Sequence, residues 1–100
     1  MKIKYKHKYI MEFPKPSETG LTVFTRDSCI NCDKLKGYLK NRKYKVVYCD
    51  PYLTDEHVKK QFIDQLFYIT GKRIRHFPIV FLDGLYIGNY DDFLDFENDF

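Results

Sequence analysis

One hundred residues, 44% of them hydrophobic and 18% aromatic, make a single domain with one core and exclude a disordered chain. Three cysteines cannot all pair within one molecule, and no charged, apolar and small signal segment opens the sequence, so a secreted disulfide scaffold is disfavoured and a reducing, cytoplasmic setting expected. No apolar run approaches the roughly 20 residues that span a bilayer, so no membrane is expected as a partner.

The net charge of +3 is unevenly laid out, with Lys2, Lys4, Lys6, Lys8 and Lys15 at the front and Asp91, Asp92, Asp95, Glu97 and Asp99 at the back. In the opening "KIKYKHKYI", Ile3, Tyr5 and Tyr9 alternate with lysine at period two. That pattern predicts an edge strand whose outward lysines resist aggregation, and it is preferred to an arm for nucleic acid. "EFPKPSETG", residues 12–20, has two prolines, a glycine and no apolar period, and reads as a linker. Residues 1–19 are accordingly taken as a basic extension with its linker, and residues 20–100 as the domain.

"LTVFT", residues 21–25, is β-branched and aromatic between Gly20 and a polar stretch, which predicts a buried central strand. Leu35, Tyr38 and Leu39 then recur at helical spacing behind Ser28, the expected N-cap, and predict a helix over about 29–42. "YKVVYCD" is a second strand ended by Pro51. Thr54 or Asp55 can cap the next helix, whose apolar face is Val58, Phe62, Leu66 and Ile69 and whose end is Gly71. "IVFLDGLYIG" places two apolar runs around Asp83-Gly84 and predicts a β-hairpin. "DDFLDFENDF" opens with acids that favour a helix N-terminus and sets Phe93, Leu94 and Phe96 to one side. The order β-α-β-α-β-β-α, with its first two strands joined through a helix, is that of an α/β thioredoxin-like fold: a mixed four-stranded sheet flanked by helices, here behind an N-terminal extension.

The chemistry concentrates in "RDSCINCDK". Cys29 follows a strand and opens a helix, where free backbone N–H groups and the helix dipole favour a thiolate, with Arg26 adding positive charge. Cys32 lies one turn deeper on the same face, within disulfide reach. Taken alone, two cysteines three apart are also consistent with half a zinc site or a chance pair. The context selects a redox pair, with Cys29 attacking and Cys32 resolving, because "HFPIVF" puts Pro78 immediately before a buried strand. In this fold a cis-proline stands at that place, beside the dithiol. Cys49 reads as a small buried hydrophobe. His7, His57 and His76 show no metal spacing, and a zinc site from Cys29, Cys32, Cys49 and His57 would need an unusual gap, so no metal site is expected.

Strand, "RDSCINCDK", helix and "TGKRIRHFPIVFLDGLYIGNYDD" together resemble a glutaredoxin of the dithiol type over about residues 20–98. The resemblance implies a thiol–disulfide oxidoreductase that reduces protein disulfides or glutathione mixed disulfides, with glutathione as the regenerating thiol and no metal. It implies that Arg26 helps to hold the glutathione carboxylate and that Phe77 and Pro78 pair through the backbone with its cysteinyl part. Gly88, Asn89, Tyr90, Asp91 and Asp92 would grip its γ-glutamyl end, in place of a pattern like G-G-C-D-D. Disulfide-bearing or glutathionylated proteins are the implied partners, ribonucleotide reductase among them, and a monomer is expected. The sequence departs from the family at Ile30-Asn31 in place of Pro-Tyr, at His76-Phe77 in place of Thr-Val, and at Asn89 in place of a second glycine. The alternative reading is a module binding an iron–sulfur cluster: family members without proline after the first cysteine share a cluster between two chains through that cysteine and two glutathiones.

Overall fold

A computed structural model of the chain describes residues 12–99; the lysine-rich arm with Ile3, Tyr5 and Tyr9 lies outside them. The elements run β1 (Leu21–Thr25), α1 (Ile30–Tyr38), β2 (Lys45–Tyr48), a single 3₁₀ turn (Asp50–Tyr52), α2 (Glu56–Thr70), β3 (Ile79–Leu82), β4 (Leu85–Gly88) and α3 (Tyr90–Asn98). The sheet order is β2-β1-β3-β4, parallel between β1 and β2 and antiparallel across the other two pairs. This is the thioredoxin-like arrangement that the element order predicts.

Because side chains alternate along a strand, β1 feeds two cores at once. Phe24 joins Val47, Cys49, Phe62, Leu66, Ile74, Ile79 and Phe81 on the face covered by α2. Leu21 and Val23 join Leu35, Leu39, Val80 and Phe93 on the face covered by α1 and α3. All five β1 residues are buried, as its continuous apolar reading requires. On α2 the expected stripe divides into Phe62 and Leu66 fully buried and Val58 and Ile69 partly so.

Several ends differ from expectation. Cys29, not Ser28, is the N-cap of α1, because Ser28 takes a left-handed backbone (φ 53°) that turns the Cys29 sulfur back over the helix. The helix stops at Tyr38 rather than near residue 42, and tight turns follow, with Lys40 N–H donating to Gly37 O and Arg42 N–H to Leu39 O. Tyr38, counted among the apolar positions, is 46% exposed, and its hydroxyl donates to Glu97, which also pairs with Arg42 at 2.6 Å. Of the two candidate caps for α2, Asp55 serves, accepting the N–H groups of His57 and Val58; Gly71 closes the helix at φ 74°. The last helix starts one residue early at Tyr90, with Asn89 as its cap.

The two-residue turn Asp83-Gly84 joins β3 and β4, both residues at positive φ. The Asp83 carboxylate accepts the Gly20 N–H at 2.7 Å and its own N–H donates to Gly20 O, so the hairpin tip also clamps the entry to β1. The proline-flanked segment before β1 contributes to packing: Phe13 sits 5.5 Å from the Tyr52 ring and 5.3 Å from Phe62, against the α2 core. Among the described residues no helix is long and apolar enough to cross a membrane.

Candidate active site

The site forms where β1 ends and α1 begins, beside the turn that enters β3 and the start of α3. Cys29 is partly buried with extended backbone (φ −128°, ψ 107°), and its sulfur accepts the N–H of Cys32 at 3.2 Å. Cys29 and Cys32 form a disulfide with Cα atoms 5.2 Å apart. Cys32 is 1% exposed, so an external thiol reaches this disulfide through Cys29 alone. Phe77–Pro78 is a cis peptide, and the Phe77 carbonyl oxygen lies 3.5 Å from Cys29 Sγ, within reach of a thiol proton in the reduced protein.

Around Cys29 opens a cleft of about 690 Å³. Of the residues singled out from sequence, Arg26, Cys29, Phe77, Asn89 and Asp91 line it together. Cys32, Pro78 and Gly88 are buried behind that surface, and Tyr90 packs against the α1/α3 core. Asp92 is committed to the helix: its carboxylate accepts the Asn89 N–H at 3.0 Å while the Asn89 side chain accepts the Asp92 N–H at 2.9 Å. This capping box satisfies two of the first-turn groups. The N–H groups of Tyr90 and Asp91, in the same turn, have no carbonyl to reach within the helix.

Ser28, Ile30, Asn31, Arg75 and His76 complete the lining. Arg26, Arg75 and His76 thus share the lining with a single carboxylate, Asp91. Arg75 is absent from the sequence reading; its place three residues before Pro78 is the signal that could have found it. Among the described residues no group of three or more His, Cys, Asp or Glu side chains could hold a metal ion.

No protein-family model matches the sequence, and no curated protein matches it at a significant level. Solved structures do. Glutaredoxin 1 from Francisella tularensis, complexed with cacodylate, superposes with a TM-score of 0.67 at 19% identity, over 80% of this chain and 93% of that one. The holo form of glutaredoxin C1 from Populus tremula x tremuloides gives 0.63 at 26% identity, over 83% and 78%. A buckwheat glutaredoxin–glutathione complex gives 0.64 at 20% identity, over 97% and 79%. The chain has a glutaredoxin fold with a dithiol motif. Within that glutaredoxin fold the Cys29–Cys32 pair is the equipment of a thiol–disulfide oxidoreductase.

The third cysteine stands apart from this chemistry. Cys49 is fully buried, its thiol donating to Val47 O at 3.7 Å, and its pKa is pushed up to about 12, chiefly by burial and secondarily by the Asp50 carboxylate. In the unfolded chain the thiol ionises near 8.5, so the fold holds the proton more tightly. The resulting stability is fully present below about pH 8.5 and is lost as pH rises toward 12. The stability advantage of the wild type over Cys49→Ala should therefore shrink by about 2–3 kcal/mol between pH 8 and pH 10.5. Urea unfolding of both proteins at the two pH values measures this, and a constant difference would contradict it.

Proposed function

We propose that the protein is a glutathione-dependent thiol–disulfide oxidoreductase acting on protein disulfides and glutathione mixed disulfides. One observation carries the reading: an accessible sulfur at a helix N-cap, accepting a backbone N–H, is joined to a buried partner sulfur at the edge of a cationic cleft. In the reduced protein the Cys29 thiolate attacks one substrate sulfur; the other leaves as a thiolate and takes a proton. Cys32 then gives up its proton and attacks Cys29 Sγ, which releases the second substrate thiol and forms the Cys29–Cys32 disulfide. A first glutathione opens that disulfide at Cys29, returning Cys32 as a thiol. A second attacks the glutathione sulfur of the mixed disulfide, liberating glutathione disulfide and the Cys29 thiolate.

Glutathione carries two carboxylates and one ammonium, and the cleft offers a partner for each. Arg26, with Arg75 also in the lining, takes the glycyl carboxylate. The backbone of Phe77, set by Pro78, pairs with the cysteinyl unit. The first turn of α3, entered through Gly88 and capped by Asn89 and Asp92, presents the Tyr90 and Asp91 N–H groups to the γ-glutamyl carboxylate and the Asp91 side chain to its ammonium. Residues 20–100 are the redox domain and work as a monomer in a reducing compartment; residues 1–19 are an extension, of whose described part Phe13 packs against Tyr52 and Phe62.

A glutathione-coupled disulfide reduction assay tests this. The protein should turn over, and Arg26→Glu should raise the glutathione concentration for half-maximal rate by about fivefold to a hundredfold, since an attractive charge becomes a repulsive one. An unchanged glutathione dependence would make Arg26 an ordinary surface charge. One feature favours the cluster-binding alternative: Ile30, beside Cys29, is 74% exposed and leaves the position after the nucleophile free of proline. A visible-region cluster band in protein purified without oxygen would establish it, and colourless, active protein would favour the enzyme.

A further inference from the structure

The loop that presents Cys29 is held from outside its own segment. Asp27 is exposed and has no regular secondary structure, yet its N–H donates to both carboxylate oxygens of Asp50, at 3.1 and 3.2 Å, across 23 residues of sequence. Asp50 stands on a firm base. It follows Cys49, whose N–H donates to Thr25 O at 2.8 Å and so ties the end of β2 to the end of β1. It also opens the 3₁₀ turn, in which Leu53 N–H donates back to Asp50 O at 3.0 Å and Pro51 fixes the backbone. The carboxylate thus projects from the end of one parallel strand onto the loop leaving the other.

Between that tie and the nucleophile lies one residue, Ser28, in the left-handed region at φ 53°. A non-glycine residue is held there only when its surroundings over-determine it. The turn at Ser28 is what sets Cys29 extended, with its sulfur over the Cys32 N–H and beside the Phe77 carbonyl. With Asp27 released, Ser28 is free to return to negative φ, and the sulfur loses the N–H that favours its thiolate.

We propose that Asp50 is a positioning residue for the attacking thiol: by accepting the Asp27 N–H it holds Ser28 in its left-handed turn and keeps Cys29 on the end of α1. The proposal rests on the reading of Cys29 as nucleophile, and its test separates the two. The reduced full-length protein is alkylated with iodoacetamide across pH 5–9, and the rates at Cys29 and Cys49 are followed by peptide mass spectrometry. Asp50→Asn removes the charge but keeps an acceptor oxygen, whereas Asp50→Ala removes both.

In Asp50→Ala, Cys29 alkylation at pH 7 should slow about tenfold, with its pH midpoint raised and the Asp27 amide exchanging faster with solvent. Asp50→Asn should stay within about threefold of wild type. A wild-type rate and midpoint in Asp50→Ala, or equal changes in the two variants, would overturn the proposal, since the second result would assign the effect to charge alone. Should Asp50→Ala fail to fold, Asp50→Glu keeps the charge while displacing the oxygens by a methylene. Slowed alkylation there supports positioning, and a wild-type rate overturns it. Wild-type Cys29 reacting no faster than Cys49 would instead remove the nucleophile assignment itself.

Discussion

Cys29→Ser should abolish turnover with every disulfide substrate, whereas Cys32→Ser should divide the substrates into two classes. Exchange starts only when a thiolate attacks, and Cys29 alone combines access with a backbone N–H donor, 3.2 Å away. A serine hydroxyl there does not ionise in the working pH range, so the loss should exceed a thousandfold on the order-of-magnitude scale of nucleophile deletions. With a glutathionylated substrate, the intermediate on Cys29 is a glutathione mixed disulfide that a second glutathione resolves. Cys32→Ser should then retain much of the rate. With a protein disulfide the mixed disulfide is bulky, and the neighbouring Cys32 thiol, one helical turn away, has an effective concentration that free glutathione cannot match. The same variant should falter there, by about tenfold or more. Each variant needs one assay per substrate type. Equal losses from both substitutions on the glutathionylated substrate would argue against this mechanism, and activity in Cys29→Ser would overturn the motif's reading.

What could be read in the sequence was what local chemistry decides. The run Leu21–Thr25 had to be a buried strand because every residue is apolar or β-branched, Asp83-Gly84 suits a turn needing two positive φ values, and Gly71 suits a left-handed helix end. Cys29 and Cys32 could be paired because positions three apart lie on one face of a helix. The unread features depend on approach in space. Asp50 meets Asp27 across 23 residues, Arg75 reaches the cleft from the far side of the cis-proline, and Phe13 packs on Phe62 from a stretch whose prolines suggested a bare linker. Residue preference alone puts the cap of α1 at Ser28. Cys29 holds it because Ser28 stands in a left-handed turn, which outweighs a preference worth only about 1 kcal/mol.

Gly88→Ala should be among the most damaging single-methyl additions to this chain, and for a reason no turn propensity reveals. Gly88 ends β4 and is buried at φ 142°, a conformation essentially reserved for glycine. A Cβ placed on it would collide with the Asp92 side chain, the carboxylate that caps α3 through the Asn89 N–H. Backbone strain of about 1–3 kcal/mol and a weakened cap worth about 1 kcal/mol together give about 2–4 kcal/mol, a fall in Tm of roughly 10–25 °C for a domain of this size. Gly84→Ala is the control. Gly84 also has positive φ (80°), but its Cβ would meet Ser17 O at an ordinary 3.6 Å, so it should cost only about 1 kcal/mol. Adding Asp92→Ala to Gly88→Ala removes the obstructing side chain, and the double variant should lose less than the sum of the single losses. Function should follow the same geometry. A displaced α3 N-terminus raises the glutathione requirement, while Cys29, held by α1, keeps its alkylation rate. Thermal unfolding of the four variants decides the matter: Gly88→Ala no worse than Gly84→Ala, or strict additivity with Asp92→Ala, would mean that Asp92 does not dictate the glycine.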